Sequence, residues 1–445
     1  MPTYRIVTLG CKLNQADSAA LETRLRVLGF RRAPRDQDDA AGADLVILNT
    51  CTVTANADRE ARQIARRLRG AHPDALLIAT GCYAERDAAG LRAVPCIDHV
   101  VPLREQEERV PEIAAAAFGI DRDRVDLDLG PSGTTEGCEP EFGPGDRTRA
   151  LLKVQDGCNL RCSYCVIPSV RGASRSLPPG LVLERLGLLV DSGFREIVLT
   201  GVNTGDYGRD LDPPSSLARL LGTALDTQGL GRIRLNSLEP KTVTRELAGL
   251  LAAGGGCLAP HLQIPLQSGC DTVLARMRRP YRTADYARVV EDLRREVDGI
   301  ALGADVIAGF PGETDEEFET TRRFIESSPL GYLHVFSYSP RPGTAAASSP
   351  GQVPPHVIKE RSARLRRLAG ELSLRFRTAF VGRTRTALIL REVRPDGRLR
   401  ALTDNFIDLG CDPQGRDAAP LMNRLLRVRI TDALDHDTLG VIDED

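Results

Sequence analysis

At 445 residues, with 42% hydrophobic and 27% charged side chains, the chain has the composition of a soluble globular protein of two or three domains. A formal net charge of −2 excludes a globally basic nucleic-acid binder but leaves room for a local basic surface. No run of 18 apolar residues occurs and Arg5 and Lys12 interrupt the amino terminus, so no membrane span or signal peptide is expected and the expected compartment is the cytoplasm. Cytosolic thiols stay reduced, and eleven cysteines therefore point to metal ligation rather than disulfides.

Three β-rich apolar runs end alike: residues 4–10 run into Cys11, 44–50 into Cys51 and 75–81 into Cys82, and a helix-like stretch follows each. Residues 56–70 carry Ile64, Ala65 and Leu68 at helical spacing, and cysteine separations of 40 and 31 residues fit strand–helix–strand steps. The pattern predicts a small parallel α/β domain over residues 1–120. Ligands of open α/β sheets gather beyond the carboxyl ends of the strands, so Cys11, Cys51 and Cys82 should converge, with helix N-termini lowering their pKa. An iron–sulfur cluster held by three Cys, with one iron open, is expected there; three small buried residues that happen to be Cys are the alternative.

Residues 121–147 hold eight acidic side chains against three Arg, with five Gly and three Pro, and read as an exposed linker in which Cys138 is incidental. A short apolar run then leads into Cys158, Cys162 and Cys165, a CxxxCxxC spacing. Three thiolates are one too few for a closed zinc site, whereas on a 4Fe-4S cube they leave one iron open for a substrate or cofactor. Incidental loop cysteines, or a zinc site completed from elsewhere, are the alternatives.

From residue 148 to 355 strands and helices alternate. Strands are predicted at 151–154, 196–199, 232–235, 261–266, 304–308 and 332–338, and helices at 179–192, 217–225, 242–253, 283–297 and 315–327. Six βα repeats imply a partial barrel of parallel strands, with Cys158 to Cys165 after the first, where barrel active sites lie. Arg276 to Arg282 is a basic segment whose Arg278 and Arg279 are candidates for holding a substrate phosphate; a solvated loop is the default. Residues 356–381 read as an Arg-rich connecting helix with Leu365, Leu368, Leu372 and Phe376 on one face. Strands at 384–390, 399–409 and 425–431, separated by turn residues, predict a small antiparallel β-barrel over 382–445. Residues 356–400 hold 13 basic side chains against 4 acidic, a local excess suited to a polyanion.

CNLRCSYCVIPSVRGASRS, with Tyr164 before the third Cys, resembles the radical S-adenosylmethionine (SAM) signature. Together with TLGCKLNQADS, NTCTVTANADREARQ and TGCYAE around Cys11, Cys51 and Cys82, it resembles the methylthiotransferases over essentially the whole chain. The resemblance implies two 4Fe-4S clusters facing each other, one of them on Cys158, Cys162 and Cys165 cleaving SAM to a 5′-deoxyadenosyl radical. One SAM would give methyl to a sulfur at the auxiliary cluster, and a second would start the radical chemistry that replaces an adenine C2 hydrogen with a methylthio group. An external one-electron donor is then required. Within the family, GCKLN at Cys11 is closest to the branch acting on tRNA that bears N6-threonylcarbamoyladenosine; the isopentenyladenosine and ribosomal-protein branches more often differ there.

The same likeness places SAM contacts at Tyr164, at Gly201 and Asn203 in a Gly-Gly-Glu-like segment that departs from the family by having Val202 and Asn203, and at Phe310 in GFPGET. Glu239 and Gln267, at the ends of the third and fourth strands, complete the candidate set. LTDNFIDLG resembles the TRAM module, an RNA-binding barrel, in which Phe406 stacks a base or belongs to the core. The non-enzymatic alternative is an RNA-binding protein whose Cys sets hold structural metal.

Overall fold

The computed structural model describes residues 1–34, 42–121 and 147–443; the acidic linker lies, but for its two ends, outside the described residues, as does Cys138. The chain divides into two compact units. Among the described residues, one comprises the amino-terminal segment, Asp156–Ser174 and Ser339–Thr344. The other comprises residues 147–155, Arg175–Tyr338 and the chain from Ala345 onward.

The first unit is a parallel sheet in the order β2-β1-β3-β4-β5, from β1 (Thr3–Thr8), β2 (Arg31–Arg32), β3 (Leu45–Thr50), β4 (Leu76–Gly81) and β5 (His99–Val100). Its helices are α1 (Lys12–Val27), α2 (Ala55–Ala71), α3 (Cys82–Arg86), α4 (Ala88–Arg92), α5 (Gln106–Ala117) and α6 (Ile167–Arg171). β3 is buried along its whole length, as a parallel strand covered on both faces must be. Leu21 and Leu25 of α1 pack with Val110 and Ala114 of α5 in one cluster, and Ala61, Ala65 and Leu68 of α2 anchor another. Thr54 caps α2 by accepting from the Ala57 amide, and Asp58 in the first turn complements the helix dipole.

The second unit opens with β6 (Ala150–Lys153), and β7 (Gln155–Asp156) pairs with β8 (Arg175–Ser176) in a short ribbon. There follow α7 (Pro179–Asp191), β9 (Glu196–Thr200), α8 (Leu217–Ala224), β10 (Arg232–Leu235), α9 (Arg245–Ala253), β11 (His261–Gln263), α10 (Asp271–Arg276), α11 (Thr283–Glu296), β12 (Ala301–Ala308), α12 (Asp315–Ser327) and β13 (Tyr332–Ser337). The six expected parallel strands are present, grouped as β10-β9-β6 and β11-β12-β13. The two groups meet through the isolated Ile233–Leu258 bridge and the Leu238 to Gln263 backbone bond, over one continuous core.

α13 (Pro355–Thr378) leads into a closed barrel of β14 (Thr384–Val393), β15 (Leu399–Thr403), β16 (Asp408–Asp412), β17 (Leu425–Ala433) and β18 (Thr438–Ile442), ordered β14-β15-β16-β18-β17. The stretch 399–409, read as one strand, is two. Thr403 Oγ1 bonds Asn405 and accepts from the Ile407 amide, and Phe406 adopts φ +69°, so the chain reverses there. The β16–β18 pair is parallel, which departs from the all-antiparallel expectation. Arg232 and Arg234 of β10 donate to the Thr386, Leu402, Thr403 and Asp404 carbonyls of this barrel, fastening it to the central strands.

Candidate functional site

β1, β3 and β4 end level: Thr8 pairs with Asn49, Asn49 with Thr80, and Thr50 with Gly81. Parallel register therefore delivers Cys11, Cys51 and Cys82 to one edge. The approach is close enough to require glycine at residue 10, where φ is +91° and an added Cβ would lie 2.6 Å from the Cys51 Cβ and Sγ. Gly81, at φ +92°, is held against Asn49 and Thr50 in the same way.

Asn14, fully buried on the first turns of α1, joins the three turns. Its Nδ2 donates to Leu9 O and Thr50 O, 2.9 Å each, and its Oδ1 lies 3.8 Å from Cys11 Sγ and 3.5 Å from Cys82 Sγ. Burial pushes the Cys51 thiol up, and it pushes Cys82 up to about 12 against the pull of Arg171. The expected lowering is not met for these two: desolvation outweighs the Val53 and Thr52 amides at Cys51 and the Arg171 charge at Cys82.

The CxxxCxxC loop is closed across its base. Cys158 N donates to Gly172 O at 3.1 Å, and Ser174 N to Asn159 Oδ1 at 3.1 Å. Gly157, at φ +71°, passes so near Ala173 that a Cβ would lie 2.0 Å from its carbonyl oxygen. Cys162 O accepts from Cys165 N, and the Ile167 amide points at Cys165 Sγ from 3.4 Å, as suits a thiolate. Val166 and Val170, just beyond the loop, pack with Cys82 and Leu103 in one apolar cluster.

No described cysteine is in a disulfide. Among the described residues no three Cys, His, Asp or Glu side chains stand at single-ion spacing. Each trio offers three soft sulfur donors, a set that fits a cube with an open corner better than a closed four-ligand zinc site.

In the second unit Gly201 and Asn203 follow β9. Gln155 Oε1 accepts from the Asn203 amide at 2.9 Å and would lie 2.8 Å from any Cβ added at Gly201. Asn203 is buried, and its Oδ1 has no hydrogen-bond partner among the described residues. Phe310 is buried edge-on to Tyr338, with ring centroids 5.8 Å apart. Gln267 sits at φ +65°, and its carbonyl accepts from Ile307 N. Glu239 and Arg279, read separately as cofactor and RNA contacts, form an ion pair with each other, the Arg279 side chain only 2% exposed. Arg278 is exposed. The Phe406 ring lies 4.2 Å from His261, centroid to centroid, and beneath the Arg234 guanidinium, engaged on protein.

Residues 152–325 match the Radical SAM superfamily and residues 3–102 match Uncharacterized protein family UPF0004. The chain is 37% identical to the threonylcarbamoyladenosine tRNA methylthiotransferase MtaB of Bacillus subtilis, over 92% of this chain and 90% of that one. It belongs to the radical SAM tRNA methylthiotransferases. The MtaB enzyme of Thermotoga maritima is 35% identical to this methylthiotransferase over 87% of its chain and 86% of the relative. The tRNA-2-methylthio-N(6)-dimethylallyladenosine synthase of Acidothermus cellulolyticus is 32% identical over 99% and 85%. A solved radical SAM methyltransferase, TsrM from Kitasatospora setae, shares the fold at a TM-score of 0.55 and 18% identity, covering 78% of this chain and 77% of that one.

Two features of the methylthiotransferase escaped the sequence reading. Arg171, its side chain 1% exposed, donates to Asn14 Oδ1 at 2.7 Å, Asp17 at 2.9 Å and both oxygens of Asp156. Arg341, 2% exposed, donates to Thr52 Oγ1 at 2.6 Å and Asp58 at 2.7 Å, bracing the turn after Cys51. Asp58 also takes Arg86 at 2.6 Å. An Arg in VRG or SPRPG carries no local mark of burial; only its carboxylate partners, distant in sequence, disclose it.

Proposed function

We propose that this methylthiotransferase converts N6-threonylcarbamoyladenosine beside the tRNA anticodon to its 2-methylthio derivative, using two 4Fe-4S clusters and two SAM molecules. Cys158, Cys162 and Cys165 would ligate the SAM-cleaving cluster, and Cys11, Cys51 and Cys82 the auxiliary one. When bound, the clusters and SAM would supply the one-electron chemistry and the methylthio group by which the adenine C2 hydrogen is replaced, at a C–H bond beyond the reach of any side-chain base.

The protein's own groups bind and orient. Asn203 Oδ1, buried and unsatisfied, suits the methionyl ammonium, a donor that would repay its desolvation. Exposed Arg278 suits a phosphate, with the target base turned out of the single-stranded loop, where unstacking costs little. The carboxyl-terminal barrel would serve as the RNA-binding module.

The carrying observation is the level ending of three parallel strands in Cys11, Cys51 and Cys82 around one buried asparagine. The choice of base is supported by GCKLN and by relatives at 35–37% identity named for threonylcarbamoyladenosine. Dimethylallyladenosine synthases at 32–33% keep isopentenyl-type tRNA as the second reading. Nucleoside mass spectrometry of a deletion strain separates them: 2-methylthio-N6-threonylcarbamoyladenosine should vanish, and its persistence alongside loss of the isopentenyl product would reverse the choice. Iron analysis tests the clusters, with about eight irons expected per chain and about four in either triple Cys→Ala variant.

A further inference from the structure

The auxiliary trio contains a neutral hub and a buried cation that ligation alone does not require. Asn14 commits both Nδ2 hydrogens to Leu9 O and Thr50 O, the carbonyls leading into Gly10-Cys11 and into Cys51, so its Oδ1 must face the Cys11 and Cys82 sulfurs. While those groups are thiols they donate to that oxygen. As ligands they have no proton to give, and the oxygen would then confront negative sulfur. What remains on the oxygen is Arg171, donating at 2.7 Å from the end of α6. With steps of 2.7 Å and 3.5 Å through this oxygen, the guanidinium lies about 6 Å or less from the Cys82 sulfur. Asp17 at 2.9 Å and Asp156 at 3.0 Å hold it there.

We infer that Arg171 is a positioning residue and the counter-charge of the auxiliary cluster: it locks the Asn14 amide that shapes the Cys11, Cys51 and Cys82 cage and favours the cluster's reduced, more negative state. The inference rests on the proposed auxiliary cluster. Because α6 begins two residues after Cys165, one side chain ties the SAM-cleaving loop to the auxiliary site. A unit charge at about 6 Å, in an effective dielectric of about 20, moves a one-electron equilibrium by on the order of a hundredfold. Asp17 and Asp156 are common to the proteins compared and drop out of the difference; a tenfold change, or about 59 mV, is the smallest shift consistent with the inference.

The test uses the full chain carrying Cys158→Ala, Cys162→Ala and Cys165→Ala, reconstituted anaerobically so that the auxiliary cluster is observed alone. Iron content and the EPR-monitored midpoint potential are compared for Arg171, Arg171→Lys and Arg171→Gln. The Lys variant should keep the potential, and the Gln variant should move it to more reducing values by at least about tenfold in the equilibrium. An unchanged potential in an iron-replete Gln variant overturns the inference, as does a Lys variant that shifts as far as Gln. Should Arg171→Gln fail to fold, Arg171→Gln with Asp17→Asn is measured against Asp17→Asn alone, so that the two proteins differ only in the guanidinium and the same shift is expected. A parent without iron would instead overturn the auxiliary cluster itself, and the inference with it.

Discussion

Glu196 offers the sharpest test of how the carboxyl-terminal barrel is held. Its carboxylate is fully buried between two guanidinium groups that are themselves fully buried, 2.7 Å from Arg232 and 2.9 Å from Arg234, with Arg149 at 3.5 Å. Burial alone would raise its pKa, yet the pull of Arg234 and Arg232 wins and holds the carboxyl well below the usual range. Glu196→Ala leaves two buried cations without a counter-charge, and no solvent screens them. Breaking such a pair from one side costs about 3–5 kcal/mol. For a unit of this size that is a fall of roughly 6–20 °C in the melting temperature. The chain has no Trp, so far-UV circular dichroism is the natural readout. The sign with pH follows from the lowered pKa: the stabilisation is present above the ordinary carboxylate value of about 4.3 and is lost as pH falls through the folded value. Wild type and Glu196→Gln should therefore converge in stability on strong acidification. A Glu196→Ala protein melting within about 2 °C of wild type would refute the account.

Gly10→Ala forces a Cβ against Cys51 at a left-handed backbone position, a strain of about 1–3 kcal/mol. Iron content should fall from about eight to about four per chain while the Cys158 cluster survives. Asn203→Ala should weaken SAM binding to the reconstituted enzyme by about 10- to 150-fold, the worth of one charge-assisted hydrogen bond, as read by equilibrium dialysis. Arg278→Gln should lower tRNA affinity and flatten its salt dependence by about one unit of slope. Arg279→Gln should instead destabilise the fold by about 2–4 kcal/mol with the salt slope unchanged, because Arg279 is spent on Glu239.

Local patterning made much of the architecture legible. The three strand–Cys junctions, the six central strands and the long Arg-rich helix all follow from periodicity and turn residues within a few positions of one another. The division of residues 399–409 was missed because β-rich residues flank Asp404 and Asn405 on both sides and outweighed that short turn signal, which the Thr403 hydroxyl closes. The basic excess of residues 356–400 overstated the exposed charge. Arg361 is paired with Glu313 and Asp315, Arg364 with Glu319, Arg385 with Asp404, and Arg394 with Asp437, all of them acids outside the counted window.

The sequence alone singled out the six cysteines proposed here as iron ligands, because a thiol donor is set by residue type and its placement by where a strand stops, both of them local properties. Tertiary structure alone decided how those thiols are buried and braced. Arg171 reaches Asn14 across 157 positions, and Arg341 reaches Asp58 across 283. An ion pair in a low-dielectric interior is set by distance in space, which no spacing along the chain records.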